Sequence, residues 1–399
     1  MEVAPLSGIN SPEQVDAPLT DAKVGKHTTP ISYSALAVGI FMILVFVGVV
    51  GIVAASFFDA VPEISWPSFL VNTDTTVRKL GLMVFVVLLF VGVMALLLLL
   101  VDSRKRVPNW TVAITFVGPA LAALLLGLIW PGISTIIQSF HGRSPWSDSE
   151  RSEFVGFDNF ATLFTTPEFQ VVLRNTMIWV VLVPLVAVAL GLIYAVLIDR
   201  TRGEAISKGL IFLPMAISLV GASIIWRFIY EYRAPARPQI GLANQFLVWL
   251  GLEPYQFLLN APLNTIFLII VMIWIQTGFA MTIISAAIKA IPDDIIEAAR
   301  LDGVSGMRMF RYVTIPSIRP ALLVVWVTIT MTTLKVFDIV RTMTGGNFQT
   351  SVVANEFYTQ SFRQFDFGLG AALAVLLFII VIPVVVYQVR QLRLSEDIR

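Results

Sequence analysis

The chain has 399 residues, of which 57% are hydrophobic and 13% are charged. Soluble domains carry about twice that share of charged residues, so the composition predicts an integral membrane protein. The net charge is +1, and the sequence contains no cysteine and only two histidines. These numbers argue against a basic nucleic-acid-binding surface, a disulfide or thiolate site, and a histidine-based metal centre.

The hydropathy of the chain predicts an all-α membrane protein with about eight transmembrane helices. Residues 1–30 are polar, contain four prolines and have no hydrophobic period, which indicates a disordered tail. A helix needs about 20 mainly apolar residues to cross a bilayer. Eight stretches meet this requirement. The fifth is weaker, since it contains Pro214 and has Arg227 near its end, which a kink or a snorkelling arginine would explain. The eight stretches lie at residues 35–58, 79–101, 112–138, 174–198, 207–230, 263–287, 320–342 and 367–389.

The distribution of basic residues predicts which side of the membrane each loop faces. With the N-terminus in the cytoplasm, most of the 27 lysine and arginine residues fall in cytoplasmic segments, as the positive-inside rule requires. Eight spans then place both termini in the cytoplasm. The loop at residues 141–169 is external in this arrangement. Its aromatic residues favour a segment at the membrane interface, and a docking surface for an external partner is the alternative.

A charged segment at residues 291–316 separates the sixth and seventh spans on the cytoplasmic side. Two aspartates follow Pro292, an arrangement typical of the first turn of a helix. Gly303 is suited to end that helix, and Ser305 is suited to cap a second short helix. The segment therefore predicts two short helices bent at Gly303, with small residues exposed.

Polar residues inside membrane spans are costly and therefore point to function. In span six Gln276 and Phe279 lie three residues apart, and in span seven Thr328, Thr332 and Lys335 follow helical spacing. Each set can therefore share one helix face. These faces offer hydrogen-bond partners and aromatic surface to a hydroxyl-rich solute. The candidate residues of a substrate pathway are Trp274, Gln276, Phe279, Thr328, Thr332 and Lys335.

The same residues also have explanations that involve no solute. Threonines within spans often bond to their own helix backbone or join neighbouring helices. Lys335 and Asp338 are three residues apart and could neutralise each other. Trp226 and Tyr230 are expected to be anchors at the membrane interface rather than surfaces on which a sugar stacks.

The spacing within the charged segment matches a known pattern. It reads Glu297-Ala298-Ala299, three residues, Gly303, nine residues and then Val313-Thr314-Ile315-Pro316. This resembles the EAA loop of ABC-importer permeases, from which it departs in having Val313 for isoleucine and Ile315 for leucine. Other segments are similar to the carbohydrate-uptake branch of that family, so the resemblance covers about residues 154–391. These segments lie at residues 154–160, 175–176, 289–294, 337–338, 344–346 and 367–368.

The resemblance implies a type I ABC importer permease core at residues 111–399, preceded by two extra transmembrane helices at residues 31–110. It implies that the EAA coupling loop, residues 291–316, binds in a cleft of a separate ATPase subunit. Counting from Glu297, spans six and seven correspond to the helices that hold the sugar in the family's maltose importer. The ATPase-coupling residues would be Asp294, Glu297, Ala298, Ala299, Asp302, Gly303 and Pro316.

The implied function is that of a permease subunit of an ATP-driven importer, with an oligosaccharide or glucoside as cargo and an alternating-access mechanism. This chain is expected to catalyse no reaction and to bind no cofactor or metal, because ATP and Mg²⁺ would bind to the partner ATPase subunits. The expected partners are a second permease, an ATPase dimer, an extracytoplasmic solute-binding protein, the sugar and membrane lipid, with no nucleic acid. The expected location is a bacterial or archaeal plasma membrane.

Three other functions remain open at this point. Uptake of a glycerol-phosphate-type or other polar solute would need a more cationic pathway than Lys335 alone provides. An intramembrane enzyme would need a cluster of acid, base or metal-binding residues within the spans, and no histidine lies in any of them. A channel would have no use for the cytoplasmic coupling pattern.

Overall fold

The computed structural model describes residues 117–142, 153–199, 201–235 and 237–396, without residue 122, together with the single residues Phe90 and Met94. The chain divides into two compact units, Met1–Gly127 and Leu128–Arg399. The predicted tail at residues 1–30 and the first two predicted spans lie outside the described residues, apart from those two positions. The contacts described below belong to the second unit.

The described part of the chain is helical and contains one isolated β-bridge, His141–Phe154, but no strand. Three irregular turns interrupt the α-helices: a π-helical turn at Leu125–Ile129, a 3-10 turn at Leu213–Ala216 and a second π-helical turn at Phe310–Thr314. The α-helices are α1 (Trp130–Gln138), α2 (Asp158–Thr165), α3 (Pro167–Ile198), α4 (Glu204–Phe212), α5 (Leu219–Ile229), α6 (Leu242–Trp249), α7 (Leu263–Lys289), α8 (Asp293–Leu301), α9 (Gly306–Met309), α10 (Ile315–Leu334), α11 (Asp338–Met343), α12 (Val353–Phe362) and α13 (Phe367–Glu396).

Within these ranges the helices confirm the all-α membrane class. Five are long and apolar enough to cross a membrane, and a bent pair forms a sixth candidate. The seventh predicted span, residues 320–342, is wrong at both ends, because the helical run begins at Gly306 and ends at Leu334. The five long helices are Val117–Gln138, Pro167–Ile198, Leu263–Lys289, Gly306–Leu334 and Phe367–Gln391.

The kink predicted in the fifth span is confirmed and is large. The segments Glu204–Ala216 and Leu219–Ile229 meet at an angle of 101°. Pro214 lies in the 3-10 turn between them, and Ser218 then starts α5 as its N-cap, with its Oγ accepting a hydrogen bond from Gly221 N at 3.0 Å. A proline followed by a capping serine ends one helix and begins another, so the span is broken rather than gently curved.

Helix α7 forms the centre of the packed bundle, in contact with α3, α4 and α10. Its buried side chains lie on several faces of the helix and do not form one stripe, as expected for a helix that packs against several others. They pack with the buried Trp179 and Val183 of α3 and Val325 and Ile329 of α10. Its large buried side chains are Leu268, Ile269, Met272, Ile275, Met281 and Ile284.

A glycine sets the distance between α7 and α4. A Cβ atom at Gly278 would lie 2.5 Å from the backbone oxygen of Ile211. That separation is shorter than van der Waals contact allows, so only glycine permits this approach of the two backbones. The placement of α4, which carries charged residues described below, therefore depends on Gly278.

We predict that Gly278→Ala destabilises the fold, because the added methyl group forces α4 away from α7 at a cost of about 1–3 kcal/mol. The measurement is the midpoint of thermal unfolding of the purified chain in detergent, followed by size-exclusion chromatography. Gly209→Ala in α4 is the matched control, since a Cβ atom there meets nothing within 4 Å. Equal midpoints for the two variants would contradict the packing described for Gly278.

Candidate functional site

The predicted EAA coupling loop, residues 291–316, is called the coupling segment below. Its first helix begins and ends where the sequence predicted. Helix α8 starts directly after Pro292 and carries two aspartates in its first turn. Gly303 has a φ of +75°, Gly303 N donates to Arg300 O at 3.0 Å, and Val304 N donates to Ala299 O at 2.9 Å. This pair of bonds is the Schellman arrangement, which requires a left-handed residue and therefore favours glycine. The bend at Gly303 is thus built by the backbone itself.

The coupling segment presents an open surface. Among the predicted coupling residues Ala299 is half-buried, while Asp294, Glu297, Ala298, Asp302, Gly303 and Pro316 are exposed. Large apolar side chains stand beside them, with Leu301 89% exposed, Met307 75% and Tyr312 68%. Exposed apolar side chains mixed with acidic and small ones are typical of a surface that binds another protein.

The second helix predicted for this segment begins directly after Ser305, as expected, but it is not short. Ser305 lies at the N-cap of α9, but its side chain makes no capping hydrogen bond. The helix then continues through the π-helical turn into α10, so that Gly306–Leu334 is one candidate span. The wider π turn accommodates Pro316, which has no N–H and stands at the start of α10.

A cluster of four charges lies where α7 ends, and we call it the four-charge cluster: Asp199, Glu204, Lys208 and Lys289. The Nζ atoms of Lys208 and Lys289 each lie 2.5 Å from Glu204 Oε1. Asp199 Oδ1 lies 3.9 Å from Lys208 Nζ and 3.7 Å from Lys289 Nζ. Lys208 also donates a hydrogen bond to Ser285 on α7. The cluster joins the end of α3, the start of α4 and the last turns of α7, four residues before α8.

The sequence did not predict this cluster. One signal was available, because Glu204 and Lys208 have the i,i+4 spacing of a helical ion pair. The contacts of Lys289 with Asp199 and Glu204, and of Lys208 with Ser285, join positions more than 70 residues apart, and no local pattern indicates them.

The predicted pathway residues lie on neighbouring helices. Trp274, Gln276 and Phe279 of α7 are half-buried, as are Thr328 and Thr332 of α10. Since α7 and α10 pack against each other, the two sets are carried by adjacent elements. The two sets thus lie on packed helices, and no hydrogen bond among the described residues joins them.

The threonines bond to their own helix, as the alternative explanation expected. Thr328 Oγ1 donates to Val324 O at 2.8 Å, and Thr332 Oγ1 donates to Thr328 O at 2.9 Å. Lys335 is exposed at the C-cap of α10, and within the described ranges it forms no ion pair with Asp338. The expected neutralisation of these two charges is therefore not seen.

Trp226 and Tyr230 are not the interfacial anchors that the sequence suggested. Tyr230 is only 5% exposed, and its hydroxyl donates to Phe267 O at 3.2 Å. Trp226 packs against both Tyr230 and Trp274, with ring centroids 5.2 and 5.7 Å apart. These aromatic side chains belong to the protein core because α7 covers them.

Metal ligation finds no support in this part of the molecule. Within the described ranges no group of three or more histidine, aspartate or glutamate side chains is arranged to hold a metal ion. The charged side chains that do cluster are two carboxylates paired with two lysines.

Comparison with known proteins gives consistent matches. The family model described as binding-protein-dependent transport system inner membrane component matches residues 160–393. The osmoprotective compounds uptake permease protein GgtC of Synechocystis sp. is 45% identical over 284 residues, which cover 71% of this chain and 100% of that protein. The alpha-glucoside transport system permease protein AglF of Rhizobium meliloti is 44% identical over 292 residues, 73% of this chain and 85% of that protein.

The fold is also found among solved structures. A chain of a bacterial alginate ABC transporter, in complex with an alginate pentasaccharide-bound periplasmic protein, superposes with a TM-score of 0.59 at 22% identity. The match covers 70% of this chain and 93% of that one.

The family model spans more than half of the sequence, and two relatives exceed 40% identity. This chain therefore belongs to the family of inner membrane components of binding-protein-dependent transport systems.

Proposed function

We propose that this chain is the membrane-spanning permease subunit of an ATP-driven importer whose cargo is an oligosaccharide or a glucoside. The observation that carries the proposal is its identity of 44–45% to two permeases named for osmoprotective compounds and for alpha-glucosides. Identity at that level extends over the whole length of the first relative. Such a subunit needs an exposed surface on which an ATPase subunit can dock, and α8 provides one.

The coupling segment faces the cytoplasm in this proposal. Five basic residues lie at the end of the bundle that carries α8, and positive charge favours the cytoplasmic side. The five are Lys289, Arg300, Arg308, Arg311 and Arg319. The opposite end, which holds the segment between α5 and α7, is then external. The chain resides in a bacterial or archaeal plasma membrane with both termini in the cytoplasm.

Four kinds of partner complete the transporter. A second permease shares the membrane, two ATPase subunits bind ATP and Mg²⁺, and a solute-binding protein delivers cargo from outside. Helix α8 docks on an ATPase subunit, where Glu297 pairs with a basic side chain and Ala298 allows close backbone approach. The exposed Leu301 and Met307 add apolar contact area, which excludes water from the charged pair.

The sugar passes along α7 and α10 when the subunits change between inward-open and outward-open states. The hydroxyls of Thr328 and Thr332 use their hydrogen atoms within the helix, but each oxygen keeps a free acceptor site. Gln276 adds an amide, and Trp274 and Phe279 add aromatic surface. Sugars are recognised by this combination of polar edges and an apolar face.

The four-charge cluster fixes α8 relative to the membrane helices. Lys289 ends α7 and stands four residues before the first residue of α8. Because Lys289 and Lys208 share Glu204, movement of α8 is transmitted to α4 and so to the broken span. We assign a positioning role to these residues, because they belong neither to α8 nor to the predicted pathway residues and join α3, α4 and α7.

The proposal is tested by uptake into vesicles that contain the complete complex with its binding protein. Wild type is expected to accumulate labelled sucrose, trehalose or maltose when ATP is supplied, and not glycerol 3-phosphate. Uptake of glycerol 3-phosphate alone would replace the carbohydrate assignment, and no uptake of any of them would overturn it.

Glu297→Lys is expected to lower the rate of ATP-driven uptake at least about tenfold, since placing like charges together costs several kcal/mol. The measurement is initial uptake of the sugar that wild type prefers. Glu253→Lys, the same charge reversal at an exposed position between α6 and α7, serves as the control and should transport normally. Normal uptake by Glu297→Lys would refute the coupling role.

Charge exchange tests the four-charge cluster. Glu204→Lys or Lys289→Glu alone should raise the amount of ATP hydrolysed per sugar transported, because α8 is no longer held in place. The double variant keeps two cations and two anions and should recover part of that loss, with a coupling energy of about 0.5–3 kcal/mol. A wild-type ratio of ATP to sugar in both single variants would show that the cluster has no positioning role.

A further inference from the structure

A cavity lies at the end of the bundle remote from α8. It has a volume of 440 Å³ and is enclosed by the C-terminal end of α5, the segment before α7, and α11. Helix α7 is about 40 Å long, so its N-terminal end near this cavity is far from the coupling segment. We call the cavity the α5–α11 pocket, and its polar and aromatic walls include Arg227, Tyr230, Glu231, Gln256, Phe257 and Arg341.

Its charged groups are available to a ligand. Arg227 is exposed, and its Nη1 approaches only the backbone oxygen of Thr342, at 3.5 Å. The Glu231 carboxylate has no hydrogen bond or ion pair to any other described residue. Arg341 stacks on the ring of Tyr358 at 4.7 Å, an arrangement that leaves the N–H edges of the guanidinium free to donate.

Aromatic rings connect the pocket to the predicted pathway. Tyr230 and Phe257, two of its lining residues, stack with centroids 5.2 Å apart. Tyr230 contacts Trp226, which in turn contacts Trp274 of α7. The buried Trp226 Nε1 has no hydrogen-bond acceptor among the described residues. Trp226 itself does not line the pocket, and it links the aromatic rings of the pocket to Trp274.

The chemistry of the walls fits a neutral, hydroxyl-rich solute. Sugar hydroxyls can donate to Glu231 and accept from Arg227 and Arg341, while the apolar face of the ring packs on aromatic carbon. A phosphate or sulfate would be attracted by the arginines but repelled by Glu231. A volume of 440 Å³ lies within the range of small-molecule sites and holds a mono- or disaccharide.

We infer that the α5–α11 pocket is an external carbohydrate-binding site, which the sugar occupies before it reaches Trp274, Gln276 and Phe279. The inference rests on the proposed function for the side of the membrane and for the cargo. It adds a site that is separate from the pathway residues on α7 and α10.

Cysteine labelling tests the inference directly, because the chain has no cysteine of its own. Gln256→Cys places a thiol on the wall of the pocket, and a membrane-impermeant maleimide should modify it from outside. Sucrose, trehalose or maltose should slow this modification by the factor 1 + [L]/Kd, about tenfold at a concentration of about nine times Kd. Glu231→Gln added to Gln256→Cys should abolish the protection.

Glu253→Cys is the control, since Glu253 is exposed on the same segment but does not line the pocket. Its labelling should not respond to sugar. Three results would overturn the inference. The maleimide does not label Gln256→Cys from outside, none of the three sugars slows the labelling, or the labelling is slowed by binding protein without sugar and not by sugar itself. Uptake by wild type is measured in parallel, so a failure of this site alone is distinct from a failure of the proposed function.

Discussion

The close packing of α7 against α3, α4 and α10 is the constraint on which the other features depend. At Gly278 the backbones of α7 and α4 approach so closely that no side chain fits between them. One helix therefore packs against three others, carries Trp274, Gln276 and Phe279, and ends at Lys289, four residues before α8. A shift of α7 would move the predicted pathway and the coupling segment together. A transporter that couples two distant sites needs such a shared rigid element.

The four-charge cluster then determines the rotation of α4 about α7, which hydrophobic packing alone does not determine. Hydrophobic contacts between membrane helices are weakly directional, because lipid is as apolar as the helix surface. The shared carboxylate of Glu204 joins two lysines from different helices and so defines the rotation of α4 about α7. Ion pairs with exposed partners contribute little stability, and Lys289 is 49% exposed. The cluster therefore sets the relative positions of the helices and adds little to the free energy of unfolding.

Sequence patterns predicted the features that depend on local chemistry. Pro292 and Gly303 mark the ends of α8, and Pro214 marks the break in the fifth span, because each residue acts on its own backbone. The end of the helix that starts after Ser305 could not be predicted in the same way, since a π turn at Phe310–Thr314 joins it to α10. The burial of Tyr230 depends on a neighbour 37 residues away, Phe267, and the two lysines that pair with Glu204 lie on different helices, α4 and α7. Only tertiary contacts determine these.

The central claim is that α8 binds an ATPase subunit at the cytoplasmic face. The most direct measurement is cross-linking from a single introduced cysteine in the assembled complex. Ala298→Cys, on the exposed side of α8, should cross-link to the ATPase subunit, while Ala234→Cys, exposed beyond the end of α5, should cross-link only to external protein. Cross-linking of Ala234→Cys to the ATPase, or none from Ala298→Cys in a complex that transports sugar, would contradict the account.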